Sequence, residues 1–505
     1  MSSVNNKKII QNTVFLYIRM IVVMLISLYT VRAILHRLGV EDYGIYNVIG
    51  GVVSMFTFLN GSLATSSQRY FSIELAKGDI KSLNKQFSQN LTIFGLILFV
   101  IVLFLETIGI WFVNTKMIIP TERIFAANIV YQVSIVSFAL NMLAVPYNAL
   151  IVAYEKMSAF AYISVIEAIL KLSVVFCLDI FPFDRLIVYG ILIAVVSLYI
   201  TASYMLYCKK NLKGAEYHFN WNTAEVISLF SFTGWHIIGT LSNIIRSQGI
   251  NLLINVFFNP VVNAARAIAF NVNVAVNQLS NNFFIAVKPQ MYKCYAANDM
   301  AALHRLIMFS TWMCCFLVIV VSLPFIFNAE LILRIWLKDV PEYAVLFTCL
   351  VLINGIIDST SGSTICPILA TGKIKKFYLI SGTLIIMNLP ISYVFLRIGY
   401  PAAVTMVVSI IISFIAVIIR AYFVKLQIGL PFGEYLKLIL KVVISSLCSS
   451  FVLYVIKLQM NNQIVYLFAS IILNIIILAI LFYFMVLSKT DRQQMFGYLK
   501  KVIRK

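Results

Sequence analysis

Charged residues are scarce in this sequence, and acidic residues are the scarcest of them. Only 11% of the 505 residues are Asp, Glu, Lys or Arg, and 19 acidic residues stand against 39 basic ones. The hydrophobic fraction is 61%, above the roughly 45 to 50% of a soluble domain. The longest polar stretches, Lys209 to Thr223 and Lys425 to Lys437, are too short to fold alone. This composition excludes a secreted globular protein and a soluble catalytic domain.

Histidine and cysteine are too few and too scattered to predict a reactive centre. The four histidines are dispersed, and the eight cysteines show no CxxC spacing and lie in or beside apolar runs. We therefore predict no metal site, no disulfide framework and no cofactor. A membrane enzyme needs a positioned acid, base or metal at an open surface. Because the chain also lacks a large outer loop, we predict no catalytic residue.

Long apolar runs dominate what is present, and each is near the roughly 20 residues that a spanning helix needs. They predict an all-α integral membrane protein with about fourteen transmembrane helices. The predicted spans are Ile9–Leu35, Ile45–Ala76, Phe87–Val113, Ile124–Tyr154, Phe160–Phe181, Leu186–Cys208, Ala224–Phe258, Asn263–Lys288, Leu306–Phe327, Ala344–Leu369, Phe377–Leu396, Ala402–Val424, Leu438–Ile456 and Ile464–Leu487.

Basic residues concentrate in alternate loops between these spans. With the N-terminus inside, 25 of them lie in cytoplasmic segments, Arg420 included, and eight lie in outer segments. Since positively charged short loops resist translocation, both termini are predicted to be cytoplasmic. Most of the +20 net charge then lies beside anionic lipid head groups, so nucleic-acid binding is not implied. The basic tail Lys489–Lys505 is predicted to form a helix on the membrane surface.

An internal repeat organises the chain. Ala76, Asp79 and Leu83 recur 220 residues later as Ala296, Asp299 and Leu303, and five residues from Ala153 to Ser164 recur 217 residues later from Ala370 to Ser381. The repeat predicts two six-helix lobes in the same membrane orientation, related by an axis along the membrane normal. We place the N-terminal lobe at 1–213, the C-terminal lobe at 214–424, and two further helices with the basic tail at 425–505.

Two stretches carry a family resemblance. From Arg32 to Tyr46, Leu38 and Gly39 are followed by Glu41, Asp42, Tyr43, Gly44 and Tyr46, with Gln68 and Arg69 further on; from Pro146 to Lys156 the residues are Ala149, Ala153, Glu155 and Lys156. Over nearly its whole length the chain resembles the polysaccharide flippases of the multidrug/oligosaccharidyl-lipid/polysaccharide (MOP) exporter superfamily. The motifs themselves are mainly architectural, because Gly39 and Gly44 permit a tight reversal at the outer surface.

The resemblance implies a MATE-like fold in the bacterial cytoplasmic membrane and a role in O-antigen, capsule or exopolysaccharide biosynthesis. The implied cargo is a polyprenyl-diphosphate-linked oligosaccharide, moved by alternating access. The implied partners are this lipid-linked substrate and membrane lipids. Na+ or H+ are candidate coupling ions, and polysaccharide-assembly enzymes are candidate contacts.

Polar stripes run along four of the predicted helices, where residues seven or eleven apart share a face. They align Asn12, Arg19, Ser27 and Thr30; Asn47, Ser54, Gly61, Thr65 and Arg69; Ser231, Trp235, Ser242 and Arg246; and Arg266, Asn273, Asn277, Asn281 and Lys288. These helices are the first two of each lobe, which predicts one central cavity between the lobes. The alternative is that the stripes join packed helices, as Asn, Ser and Thr often do. Packing between helices accounts poorly for the presence of several arginines in these stripes.

Intramembrane charges supply the candidate site, because each costs at least about 2.5 to 3.5 kcal/mol at the bilayer centre. Arg19, Arg246, Lys171 and Asp358 lie centrally, Arg69 is intermediate, and Arg266 lies close enough to the outer interface for its head to reach water. Glu167 lies four residues before Lys171 and can pair with it. An arginine-rich cavity selects anions, and the guanidinium fork grips phosphate in two places. The predicted substrate-binding residues are Arg19, Arg69, Arg246, Arg266, Asn273, Asn277 and Lys171.

Two other functions stay open. A multidrug exporter of the same superfamily typically couples Na+ or H+ to a cationic drug through a membrane carboxylate, and Asp358 is the one carboxylate near a membrane midplane. Asp358 either couples ions or neutralises a neighbouring arginine. A membrane-embedded glycan polymerase or transferase is less favoured, since no reactive cluster is present.

The topology gives a first testable prediction. Because basic residues favour cytoplasmic loops by 25 to eight and the number of spans is even, reporter fusions at Lys213 and Lys505 should both report cytoplasm. A periplasmic signal at either position would contradict the fourteen-helix topology.

Overall fold

The computed structural model describes residues 6–115, 117, 120–219, 223–258, 260–337, 340–460 and 462–486. The surface helix predicted in Lys489–Lys505 lies outside these ranges. The described residues form α-helices and short helical turns, with no strand among them, which confirms the predicted all-α class. The helices are α1 (Asn6–Ser54), α2 (Thr57–Lys77), α3 (Ile80–Phe104), α4 (Ile110–Thr115), α5 (Ile124–Ala153), α6 (Met157–Cys177), α7 (Arg185–Asn211), α8 (Thr223–Phe257), α9 (Pro260–Ala296), α10 (Met300–Phe327), α11 (Ala329–Leu337), α12 (Ala344–Asp358), α13 (Ser361–Thr371), α14 (Lys375–Ile386), α15 (Asn388–Arg397), α16 (Val404–Ile428), α17 (Phe432–Gln459) and α18 (Gln463–Leu481).

Most of these helices are long and apolar enough to cross a membrane. Among the described residues, 11 helical segments meet this condition, and a twelfth does so if the bent pair Asp42–Ser54 and Thr57–Lys77 is one span. The long helices α8 and α9 carry the Ser, Asn and Arg stripes and are more polar than these segments. The predicted number of about fourteen spans is reached when α8 and α9 are added to the twelve apolar segments.

Between Asn6 and Lys77 the helices differ from the two spans predicted there. Helix α1 continues past Leu35 and kinks at Gly39, whose φ of 82° is the left-handed conformation that glycine adopts at little cost. Gly44, which was predicted to share the reversal, lies instead within the helix. The predicted span Ile45–Ala76 is broken after Ser54, where the two halves bend by 44°.

Residues of the family-like stretch hold helices together. Asp42, 6% exposed, accepts a 2.6 Å hydrogen bond from Arg123 Nη2, and Arg123 also pairs with Asp184. The Tyr46 ring packs edge-on against Tyr189 at 4.8 Å between centroids. Ion pairs and aromatic packing at these positions agree with an architectural role for the motif.

The chain divides into two compact units. Unit 1 comprises the described residues of Met1–Ile237 and Lys288–Asn298, and unit 2 those of Ile238–Val287 and Asp299–Lys505. Unit 1 has a continuous apolar core in which α5 packs against α1, α2, α3 and α7. In unit 2, α12 and α13 pack on α16, and α10 packs on α17 and α18. The predicted boundaries at residues 213 and 424 stay predictions.

The repeated sequence segments adopt the same local structure in each unit. Asp79 caps α3 by accepting hydrogen bonds from the backbone N–H groups of Lys81 and Ser82, and Asp299 caps α10 by accepting one from Ala302. Leu83 and Leu303, four residues later, are fully buried. In both places a side-chain cap is followed by a buried leucine, so these repeated residues serve to start a helix.

A buried carboxylate ties three segments of unit 1 together. Glu155 follows α5 in the left-handed conformation, with φ 59°, and is 5% exposed. Its oxygens lie 3.2 Å from Lys8 Nζ and 2.5 Å from Lys293 Nζ, and Gln290 Nε2 donates to it at 3.4 Å. Burial alone would raise the pKa of this carboxyl, but the two ammonium groups outweigh it and the pKa lies below its usual value.

We predict that Glu155→Gln destabilises the protein by about 1–3 kcal/mol, because Lys293 loses a charge-assisted partner at a buried position. Glu216→Gln is the control, since Glu216 is 77% exposed. Because the pKa of Glu155 is lowered on folding, its contribution is present above the ordinary glutamate value of about 4.3 and is lost as pH falls through the folded value. Thermal unfolding at neutral and acidic pH measures both effects. Equal stability of Glu155→Gln and Glu216→Gln at neutral pH would contradict this.

Candidate functional site

Arg19 lies in unit 1, where α1 packs against α6. Its Nη1 is 3.5 Å from Ser164 Oγ, and its guanidinium lies 4.7 Å from the centre of the Phe160 ring. Tyr204 of α7 and Glu167 of α6 are its further electrostatic neighbours. The structure therefore surrounds Arg19 with aromatic rings and hydroxyl groups, which orient a guanidinium without neutralising it.

A second basic cluster of unit 1 forms around Arg69 of α2. Arg69 is 8% exposed, and its guanidinium lies 4.8 Å from the ring centres of both Tyr70 and Phe232. One turn earlier, Thr65 Oγ1 accepts a 3.2 Å hydrogen bond from Lys288 Nζ of α9. The neighbouring Ser66 bonds to Thr233 of α8 at 3.1 Å. Polar residues of α2, α8 and α9 thus meet within unit 1, and a lysine contacts α2 one turn before Arg69.

Lys171 has a partner on its own helix. Its Nζ lies 2.6 Å from Glu167 Oε1, as the i, i+4 spacing predicted, and the lysine side chain is 45% exposed. This ion pair satisfies the lysine locally.

Arg266 in unit 2 is buried, which contradicts the prediction that its head reaches water. It is 2% exposed, donates from Nη1 to Asn251 Oδ1 and from Nη2 to Ser247 O at 3.2 Å, and lies 4.2 Å from the Phe270 ring centre. The prediction considered only how far Arg266 lies from the end of its own helix. It did not consider that α8 supplies hydrogen-bond acceptors at the same depth.

Asn273 and Asn277 of α9 contact α12 rather than standing free. Asn277 Nδ2 donates to Asn273 Oδ1 at 2.8 Å. A Cβ on Gly355 would collide with Asn273 Oδ1 and lie 3.0 Å from Asn277 Nδ2. Directly beside Gly355, Asn354 Nδ2 donates to Asp358 Oδ2 at 2.9 Å. Glycine at 355 therefore permits the close approach that brings both asparagines to the helix carrying Asp358.

Arg420 is the charged residue that the sequence analysis misplaced. It was counted among cytoplasmic loop residues, yet it lies within the apolar helix α16 and is 6% exposed. Neither Nε nor Nη2 has a hydrogen-bond partner among the described residues. Its electrostatic neighbours are Asp358, Tyr435 of α17 and Arg246 of α8. The predicted span Ala402–Val424 already contained Arg420, but the positive-inside count grouped it with the cytoplasmic lysines that follow.

Arg246 and Arg420 are electrostatic neighbours in unit 2. Within the part of unit 2 that the structure describes, neither makes a hydrogen bond or an ion pair. Arg420 is 6% exposed, and a buried guanidinium without a hydrogen-bond partner costs several kcal/mol, so its retention favours a ligand that supplies the missing acceptors. Arg420 thus has one carboxylate, Asp358, and one further arginine, Arg246, as electrostatic neighbours.

Similarity to solved structures assigns the fold. A MATE in complex with MaD3S superposes with a TM-score of 0.71 at 13% identity, over 85% of this chain and 97% of that chain. The chain has the fold of MATE transporters. An outward-facing multidrug resistance MATE family transporter of the MOP superfamily gives 0.71 at 14% identity, over 84% and 96% of the two chains.

A third solved structure differs in the polarity of its pocket. It is a MOP superfamily transporter from Pyrococcus furiosus whose reversed binding-pocket polarity suggests a different function for that protein; the TM-score is 0.67 at 13% identity, over 84% and 96% of the two chains. No protein-family model and no curated protein matches the sequence. The MATE-like fold predicted for this chain is confirmed. These similarities do not test the flippase subtype, which is argued from the residues of this chain.

We predict that Arg420→Gln and Arg266→Gln differ in stability. Arg266→Gln loses two hydrogen bonds to described residues and should lose about 1–3 kcal/mol of stability. Arg420→Gln loses no hydrogen bond and removes a buried charge, so it should be at least as stable as the wild type. Thermal unfolding of the purified variants measures the difference. An equal loss at Arg420 would show that it is held by the protein and is not reserved for a ligand.

Proposed function

We propose that this protein is a flippase that moves a polyprenyl-diphosphate-linked oligosaccharide across the bacterial cytoplasmic membrane by alternating access, for cell-surface polysaccharide biosynthesis. The observation that carries the proposal is the pair Arg246 and Arg420, two guanidinium groups in long helices with no hydrogen bond or ion pair to described residues. Guanidinium groups suit a diphosphate, because their planar fork binds phosphate oxygens in two places. The transporter fold supplies the architecture for movement across a membrane.

Aromatic and amide groups beside the arginines suit the rest of the cargo. Tyr70 and Phe232 flank Arg69, and Phe160 flanks Arg19. Rings at such positions stack on sugar faces, while Ser, Thr and Asn side chains hydrogen-bond sugar hydroxyls. The polyprenyl tail would stay in the bilayer. Both termini are proposed to be cytoplasmic, in keeping with the loop charges.

The neighbouring structures include a MOP transporter with reversed pocket polarity, for which that reversal suggests a different function. The same reasoning supports an anionic cargo here, because arginine outweighs carboxylate around Asp358. Cationic drugs would be repelled by Arg19, Arg69, Arg246 and Arg420.

The proposal predicts that Arg→Ala at positions 19, 69 and 246 weakens binding of a polyprenyl diphosphate sugar by about ten- to a hundredfold, since each charge-assisted hydrogen bond contributes roughly 1.5–3 kcal/mol. Arg→Lys should fail to restore binding at one or more of these sites, because lysine keeps the charge but lacks the fork. Arg334→Ala is the matched control, because Arg334 is 67% exposed and pairs with Glu330.

Binding is measured directly on well-folded, purified variants. Normal binding and transport by all three alanine variants would overturn the cationic-site proposal. These arginines would then have a purely structural role.

A second candidate function is an ion-coupled multidrug exporter, and Asp358 is the observation that favours it. Its carboxylate accepts from Asn354 and lies near Arg420 without forming an ion pair with any described residue. One of the similar structures is a multidrug resistance transporter. Asp358 is therefore our proposed coupling residue for Na+ or H+ in either function.

If Asp358 binds the coupling ion, Asp358→Asn should abolish the Na+ or pH dependence of transport while substrate binding changes little. Transport by reconstituted protein across a Na+ gradient and across a pH gradient measures this. Unchanged ion dependence would leave Asp358 as a counter-charge for Arg420. The charge of the transported ligand then decides between the two functions.

A further inference from the structure

A lysine-rich cavity lies in unit 1, where α3 begins and α7 ends. It has a volume of about 570 Å³, within the usual size range of ligand pockets. Four lysines line it: Lys81 from α3, Lys209 and Lys210 from α7, and Lys213 from the loop that follows. All four are exposed, and none forms an ion pair with a described residue. This face is the one that the loop charges predict to be cytoplasmic.

The cavity wall is a fixed structure. The segment after Lys213 runs along α3: Glu216 N donates to Asn84 Oδ1 at 2.9 Å, and His218 N donates to Ser88 Oγ at 3.0 Å. Tyr154 Oη also donates to Lys213 O at 2.9 Å. Hydrogen bonds to three different partners hold the loop against the helices, so the lysines start from a defined backbone.

Gly214 explains how the loop comes so close to α3. Its φ is +80°, and a Cβ there would lie 2.7 Å from Leu83 Cδ2. Leu83 is itself fully buried. Glycine is therefore required both by the backbone conformation and by the contact.

The charge of the cavity is strongly positive. Its only acidic lining residue is Glu216, which is 77% exposed and lies 3.5 Å from His218 Nε2. Lysine ammonium groups bind phosphate as point charges. Four of them around one cavity thus favour a phosphate-bearing ligand over a cation or a neutral solute.

Two exposed aromatic rings, Tyr217 and Phe219, lie on the loop that continues along α3. Asn84, Ser88 and Thr92 are one turn apart, and the loop contacts them in order, with Tyr217 Oη 3.3 Å from Thr92 Oγ1. Each turn advances about 6 Å into the span that begins at Ile80. Tyr217 and Phe219 are 49% and 71% exposed. Basic groups at one end and exposed rings further along are typical of a lipid interface.

We propose that this cavity binds the phosphate of an anionic lipid from the leaflet on the lysine-rich face. The lipid is either a membrane phospholipid or the lipid-linked substrate, since both offer a phosphate on an apolar chain. The inference stands apart from the proposed transport function, because phospholipid binding alone would satisfy it.

The test compares two triple variants of the full-length protein. Lys81→Gln/Lys209→Gln/Lys213→Gln removes three cavity charges. Lys373→Gln/Lys375→Gln/Lys376→Gln removes three lysines outside the cavity, one in the turn after α13 and two at the start of α14. Native mass spectrometry measures binding of phosphatidylglycerol, phosphatidylcholine, undecaprenyl diphosphate and inorganic phosphate. Equal thermal unfolding of the two variants controls for folding.

The cavity variant should bind phosphatidylglycerol or undecaprenyl diphosphate at least roughly tenfold more weakly than the wild type. The control variant should lose less than about threefold in affinity, because only the cavity is expected to position a phosphate. Whichever of the two lipids loses more binding is the source of the bound phosphate. Gly214→Ala should weaken binding of the same lipid, although it changes no charge. Equal losses in both triple variants would show diffuse attraction and overturn the site, as would binding of inorganic phosphate with no lipid bound.

Discussion

A guanidinium group inside an apolar helix bundle costs at least about 2.5–3.5 kcal/mol at the bilayer centre, and this protein carries several. The described structure meets that cost in two ways. Arg266 receives acceptors from Asn251 and Ser247, and Arg69 lies between two rings. Arg420 receives no hydrogen-bond acceptor for its Nε and Nη2 from the described residues. We propose that a ligand supplies the missing acceptors.

The distribution of these arginines links fold to function. The kink at Gly39 and the break after Ser54 redirect the first helices, and Gly355 lets the asparagines of α9 reach the helix of Asp358. The arginines are consequently held by helices, which fixes their positions better than loops would.

The MATE-like fold followed from the family resemblance, whereas the helices could be predicted from the sequence, because apolar runs and helix caps are local properties. Asp79 and Asp299 show this, since each caps a helix at the same place in the repeat. The candidate site was harder, because a one-dimensional pattern cannot tell which acceptors a neighbouring helix supplies. Arg266 was predicted to reach water and is buried. Arg420 was counted with the cytoplasmic lysines near the end of its predicted span, yet it is buried within the helix.

Movement of the proposed cargo between leaflets tests the central claim most directly. Liposomes containing the purified protein and a fluorescent polyprenyl diphosphate sugar would be treated with a quencher that cannot cross the membrane. The account predicts that label in the inner leaflet becomes accessible only when the protein is present, and that Arg246→Ala/Arg420→Gln abolishes this movement while remaining folded. No protein-dependent movement, or transport of a cationic drug by the same liposomes with undiminished rate in the double variant, would contradict it.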